Sequence, residues 1–327
     1  MANGLRWGIL ATGWIAELFT KDLQLTGHQV TAVGSRSPAG AERFARQFGI
    51  PHAHGSYEAL VADPEVDIVY VATPHPMHAA NALLALNAGK HVLVEKAFTV
   101  NAREARQIVD LATEKRLVVM EAMWTRFLPH MVRIRDIVAS GVLGEIRSVV
   151  ADHTRHLSED PAHRLNALEL GGGALLDLGI YPISFVWDIL GKPEQISAMA
   201  RFKATGADAE VATVFRHANN AISTTLSTSD NPGTNTAMIL GSKARIEIAT
   251  VWYEPTSFRV LDVDDNVIET FDGHVEGRGM QFQAAEVERL IVAGELSSKI
   301  MPAAQSVAIM ETLDTIRQQI GLKYPGE

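Results

Sequence analysis

Short apolar runs alternate with helical stretches from Leu5 to Glu121, and that alternation leaves few folds open. Leu5–Leu10, Gln29–Gly34, Asp67–Thr73, His91–Lys96 and Leu117–Glu121 read as strands. Asp67–Thr73 is almost continuously apolar, as a parallel strand covered on both faces must be. The helices between carry start and stop signals. Ser37 is placed as an N-cap with Pro38 at the first helical position and Gly49 at the end. Asn101 and Glu104 have the spacing of a capping box, and Ala105, Ile108, Val109 and Ala112 form the buried stripe behind it. β–α repeats running through about 120 residues describe a doubly wound parallel sheet.

The first strand runs into Ala11-Thr12-Gly13-Trp14-Ile15-Ala16 and then a helix. Strand, small-residue turn and helix is the setting in which a dinucleotide pyrophosphate rests on a helix N-terminus. The usual Gly-x-Gly-x-x-Gly/Ala pattern is degenerate here. Ala11 replaces the first glycine, while Gly13 and Ala16 keep the other two positions. The second strand ends in Ser35-Arg36, where NAD-specific folds carry an acid for the ribose hydroxyls. An acid would repel a 2′-phosphate, whereas Arg and Ser bind it, so the expected cofactor is NADP(H). Thr73-Pro74-His75 with His78 reads as a cofactor-side loop. The two histidines stand near a helix start with no run of carboxylates, which argues against metal. Glu95 and Lys96 close a strand at the carboxyl edge of the sheet, where ligands of open α/β sheets bind.

After Phe127 the rhythm changes. A helix near Leu128–Ala139 is followed by a strand, Glu145–His153, and a polar loop holding His156, His163 and Arg164. His153, His156 and His163 have a strand-then-loop context that imposes no metal geometry, which leaves substrate contacts or plain surface. The loop feeds Gly171-Gly172-Gly173 and an apolar helix to Leu190 that carries Asp177 and Tyr181 four residues apart. Pro182 offers no N–H to the carbonyl of Leu178, so this helix is expected to be weakened or bent beside Tyr181. Seven strands are expected between Ile196 and Phe271, separated by turn residues, in a mainly antiparallel sheet. A glycine-rich loop, Gly273–Gly279, precedes two last helices.

At 327 residues the chain exceeds one ordinary core, so two domains are expected. Its 29 Lys+Arg against 38 Asp+Glu give a net charge of −9, which argues against a nucleic-acid or anionic-membrane surface. The absence of cysteine excludes disulfides, thiolate nucleophiles and Cys-based metal sites. The N-terminus passes from Met1 into a strand without a signal-like run, which leads us to expect a cytoplasmic protein. The last helices are too few to cover both faces of the second sheet, and a homodimer across the uncovered face is expected.

Taken in order, Ala11–Ala16, Thr73-Pro74 with His78, Glu95-Lys96 and Gly171–Tyr181 resemble the Gfo/Idh/MocA oxidoreductases over nearly the whole chain. Glu121-Ala-Met-Trp124-Thr-Arg126-Phe127 and a Tyr at 181 look most like the dimeric dihydrodiol dehydrogenases and NADP-dependent xylose dehydrogenases. The resemblance implies a Rossmann domain at 1–123 and an α+β domain for substrate and dimerisation at 124–327. It implies hydride transfer between NADP(H) and a sugar, polyol or cyclic diol, with Trp124 and Arg126 added to the cofactor residues. It also gathers Lys96, Asp177 and Tyr181, with Arg164, around a small-molecule substrate. Tyr181 is then the acid/base, helped by the Lys96 ammonium because a free phenol ionises only near pH ~10; the rival assignment makes Lys96 the proton carrier. The chain departs from the family at Ala97, where a proline usually follows the Glu-Lys pair, and at Ala11. Two other readings stay open: a regulator that binds cofactor without turnover, and a glycosidase using bound NAD as an internal oxidant.

Overall fold

The computed structural model describes residues 4–325. The chain divides into two compact units, one of residues up to Trp124 together with Glu276–Met310, the other of Thr125–Val275 together with the residues from Glu311 on.

The first unit alternates as expected: β1 (Arg6–Leu10), α1 (Trp14–Leu25), β2 (Gln29–Gly34), α2 (Pro38–Phe48), β3 (His52–His54), α3 (Tyr57–Val61), β4 (Ile68–Val71), α4 (His78–Asn87), β5 (His91–Glu95), α5 (Ala102–Lys115) and β6 (Val119–Ala122). Six parallel strands lie in the order β3-β2-β1-β4-β5-β6. Trp7, Ile9 and Leu10 of β1 and all of β4 are fully buried, as a central strand flanked by helices requires. Ser37 accepts the N–H of Gly40 at 3.2 Å and Asn101 that of Glu104 at 3.0 Å, so both caps form where the sequence put them. Strand β3 and helix α3 carry too few residues to show a period, and only the structure reveals them.

The second unit opens with α6 (Pro129–Ser140), β7 (Ile146–Thr154) and α7 (Ile180–Leu190). The strands β8 (Pro193–Phe202), β9 (Asp208–His217), β10 (Ile222–Thr228), β11 (Ala237–Gly241), β12 (Ala244–Ile248), β13 (Phe258–Asp262) and β14 (Val267–Phe271) follow. The chain ends on α8 (Gln281–Ala293), which belongs to the first unit, and α9 (Ala303–Ile320), which the division between units crosses. The eight strands lie in the order β14-β13-β12-β11-β7-β10-β9-β8, antiparallel except for β7 beside β10. Helix α7 packs against β7 and β10.

Register fixes the other face. Met199, Ala212 and Leu226 share one cross-strand row, and Val214, Thr224 and Val150 the next. Met199 is 81% exposed and Val214 48%, so this face of the sheet presents apolar side chains outward. The stretch 168–190 is apolar and long enough to cross a membrane by composition, but 83% of its apolar 18-residue window is buried, the environment of a core helix.

Candidate active site

The turn after β1 keeps the shape of the glycine motif without its first glycine. Ala11 sits at φ +97°, a region glycine adopts freely and alanine at a cost. Its N–H donates to the carbonyl of Gly34 at 3.0 Å. Gly13 is the N-cap of α1 and supplies no side-chain acceptor, so the first-turn amides keep their capacity to bind an anion. Trp14, beside them, is 64% exposed. The guanidinium of Arg278 lies 5.6 Å from the Trp14 ring and 4.9 Å from that of Trp124. Both carboxylate oxygens of Asp22 on α1 accept from the loop that carries it, Oδ1 from the Arg278 N–H at 3.0 Å and Oδ2 from that of Met280 at 2.8 Å. Gly277, at φ +75°, approaches Asp22 so closely that a Cβ would stand 2.6 Å from Oδ1.

At the end of β2, Ser35 is nearly buried and its hydroxyl accepts the Ser37 N–H at 3.3 Å, while Arg36 is exposed. No acid stands between Gly34 and Glu42. Thr73, Glu95 and Lys96 all lie at carboxyl ends of central strands. Glu95 is buried and accepts a very short hydrogen bond from the Tyr70 hydroxyl on β4. His75 Nε2 lies 3.2 Å from the carbonyl of Lys96. His78 is fully buried, with Nδ1 3.0 Å from the carbonyl of Ala97 and Nε2 2.7 Å from that of Thr73. Burial pushes its pKa down to about 4, so the ring is neutral and its single N–H donates to one of these two carbonyls, with the ring wedged between the Thr73 turn and the residue after Lys96. The Lys96–Ala97 bond is cis although residue 97 is alanine.

In the second unit the glycine triplet is explained by contact. A Cβ on Gly172 would stand 2.7 Å from the carbonyl oxygen of Arg164, and one on Gly173 would collide with the Asp208 carboxylate at 1.9 Å. The helix that follows begins as a π turn, Leu175–Gly179, in which the Ile180 N–H reaches the carbonyl of Leu175. The irregularity expected beside Tyr181 thus lies before it, and α7 runs as regular helix through Tyr181 and Pro182; π turns of this kind often mark functional sites. Asp177 lies within the π turn, 8% exposed, and accepts from Arg164 Nη1 at 3.3 Å. Tyr181, 7% exposed, meets the His153 ring edge-on at 4.9 Å and lies 5.5 Å from the Tyr253 ring. His153 and Tyr253 stack at 3.8 Å. Burial pushes the Tyr253 phenol up to about 12, so it stays protonated. Arg126 is buried and engaged within this unit, donating through Nε to the Ser184 hydroxyl at 2.8 Å and through NH2 to the Ser184 carbonyl at 2.6 Å.

Residues 5–123 match the profile of an oxidoreductase family with an NAD-binding Rossmann fold, and residues 131–247 match the Gfo/Idh/MocA C-terminal domain. A D-xylose 1-dehydrogenase (NADP(+)) of Hypocrea jecorina is 38% identical across 99% of this chain and 95% of its own. The chain belongs to the Gfo/Idh/MocA oxidoreductases. A trans-1,2-dihydrobenzene-1,2-diol dehydrogenase of Mus musculus is 39% identical over 98% of both chains. Among solved structures, a 3-ketoreductase from Actinomadura kijaniata in complex with NADP and TDP-benzene superposes with a TM-score of 0.86 at 27% identity, covering 97% of this chain and 98% of its own.

For this Gfo/Idh/MocA oxidoreductase, sequence reasoning passed over Tyr253, took Arg278 only as one of the polar residues of a substrate-side loop, and left His153 between substrate contact and surface. His153 is 5% exposed and stacked. Its inward position on β7 is the one signal that alternation along the strand could have supplied. Nothing local marks Tyr253.

Proposed function

We propose that this oxidoreductase transfers a hydride between NADP(H) and a carbinol carbon of a sugar, polyol or cyclic diol, or the corresponding carbonyl. The observation that carries the reading is the turn after β2, where Ser35 and Arg36 stand without an acid, in a chain more than a third identical to an NADP+ xylose dehydrogenase. Ala11–Ile15 and Arg278 hold the pyrophosphate at the start of α1. Ser35 and Arg36 take the 2′-phosphate, and the Thr73–His75 loop with Lys96 flanks the nicotinamide. Trp124 bears on the cofactor through Arg278. Glu95, His78 and Arg126 serve as positioning residues, since each is committed to a protein partner.

Bound NADP(H) would supply or accept the hydride. The remaining step is a proton transfer at the substrate oxygen, and Tyr181 makes it: in oxidation the phenolate takes the hydroxyl proton as the hydride leaves carbon, and in reduction the phenol returns it. Lys96 stabilises the phenolate, and Asp177 with Arg164 orients a substrate hydroxyl. The outward apolar face carrying Met199 and Val214 is the surface of a homodimer. A screen of aldoses, deoxyketoses, dicarbonyls and cyclic diols in both directions, read as change in NADPH absorbance, tests the function. Turnover of one class is the expected result. Cofactor binding without consumption would return the chain to the regulators. Glycoside cleavage without external cofactor would make it a glycosidase.

A further inference from the structure

Away from the dinucleotide turn, two imidazoles and one carboxylate meet at a point. β3 is the edge strand of the six-stranded sheet, and His52 and His54, two residues apart on it, project from one face. Asp63 lies in the turn between α3 and β4. Its Oδ2 is 2.7 Å from His52 Nδ1 and 2.8 Å from His54 Nε2, while its Oδ1 accepts the Glu65 N–H at 2.8 Å. The three ligating atoms lie within 4.8 Å of one another. The Asp63 side chain is 4% exposed, but those of His52 and His54 are 41% and 24% exposed, so the meeting point is reachable from solvent past the imidazoles.

We propose that His52, His54 and Asp63 bind a divalent transition-metal ion, with zinc as the fitting ion. Two imidazoles and a carboxylate are a borderline donor set, which suits zinc and its neighbours, whereas magnesium and calcium take oxygen throughout. A His-x-His pair on a strand chelates without bending the backbone, because both rings leave the same side of the pleat. Bonds of about 2.0–2.1 Å in a tetrahedral site set ligand atoms about 3.3 Å apart. The present spacings of 2.7 and 2.8 Å therefore widen by about half an ångström on binding, a rotation that exposed His52 allows. Each imidazole now donates N–H to Asp63, and on binding that proton moves to the ring's other nitrogen, leaving a lone pair for the ion. Asp63 supplies the one carboxylate of the set, and its second oxygen is already held by the Glu65 amide. Water completes the fourth position. The ion would staple the edge strand to the turn before β4, directly beside the carbonyl of His54 that accepts the Ser35 N–H at 3.1 Å.

The test is calorimetric titration of untagged, chelator-stripped protein with zinc chloride, alongside His52→Ala and His54→Ala. The expected result is one ion per chain with micromolar affinity, weakened at least roughly tenfold in each variant and untouched by magnesium chloride. Titration of the unsubstituted protein with cobalt(II) provides a reading that needs no variant: visible ligand-field bands of tetrahedral intensity are expected. Absence of saturable zinc binding, zinc binding that survives both substitutions, or octahedral cobalt bands would overturn the proposal and leave the cluster a hydrogen-bonded latch.

Discussion

The carboxylate of Asp208, on β9, accepts the backbone N–H of Leu175 at 2.6 Å, where the helix bearing Tyr181 begins. An acceptor at a helix start is ordinary, but this one is fully buried, and burial raises its pKa from 3.8 to about 6. Below about pH 4 both folded and unfolded chains hold the proton; between about 4 and 6 only the folded chain does. Stability from this group is therefore complete at low pH and lost as pH rises through about 6, a swing of about 3 kcal/mol. Asp208→Asn keeps an acceptor and removes the titration. The wild-type-minus-variant stability should fall by about that amount from pH 4 to 7 in denaturant melts, and a pH-independent difference would count against it.

Ala11 bears a backbone conformation made for glycine. Ala11→Gly should relieve more strain than the added freedom of the unfolded chain costs, stabilising the protein by about 1 kcal/mol. Thermal unfolding of the two proteins measures this, with a lowered midpoint as the contrary result.

Arg36 faces solvent at the end of β2. Loss of a charge-assisted contact to phosphate costs on the order of 1.5–3 kcal/mol. Arg36→Ala should weaken NADPH roughly tenfold to a hundredfold and leave NADH nearly unchanged, read by fluorescence titration. Equal losses for both cofactors would remove the 2′-phosphate assignment.

Arg278 makes a contrasting case. It lies over Trp14 at the start of α1, where the proposed function puts the pyrophosphate that both cofactors share. Arg278→Ala should weaken NADPH and NADH alike, by roughly tenfold, and leave their ratio intact.

Tyr181→Phe should lower kcat by roughly a hundredfold or more with NADPH binding unchanged, the usual scale of acid–base assistance. Lys96→Met should do at least as much harm and move the pH optimum of residual activity upward. Near-full turnover by Tyr181→Phe would pass the proton role to Lys96.

How far the sequence reached depended on the range of the interaction. β1, β4 and β5 are legible because burial on both faces writes a continuous apolar run into each. The caps at Ser37 and Asn101 are legible because donor and acceptor lie three residues apart. β3 is illegible because His-Ala-His is too short to carry a period. The partners of Glu95, His78 and Arg126 are set by strand order and helix packing, which no local spacing records. Arg278 and Asp22 are 256 residues apart, and Tyr253 reaches His153 from a loop between β12 and β13.

The indole N–H of Trp7 and the ring of His28 both end on Glu288 Oε1, at 2.8 and 2.7 Å. Trp7 lies on the first strand and is wholly buried, yet its partner is 281 residues downstream. On the ribosome, then, the sheet of the first unit can be complete while α8 is still unmade. At about 5–20 residues per second, synthesis from Trp124 to Glu288 occupies roughly 8–30 s. Through that interval the nascent Rossmann layer leaves the seat of α8 open, and the Trp7 indole waits for the acceptor that α8 brings.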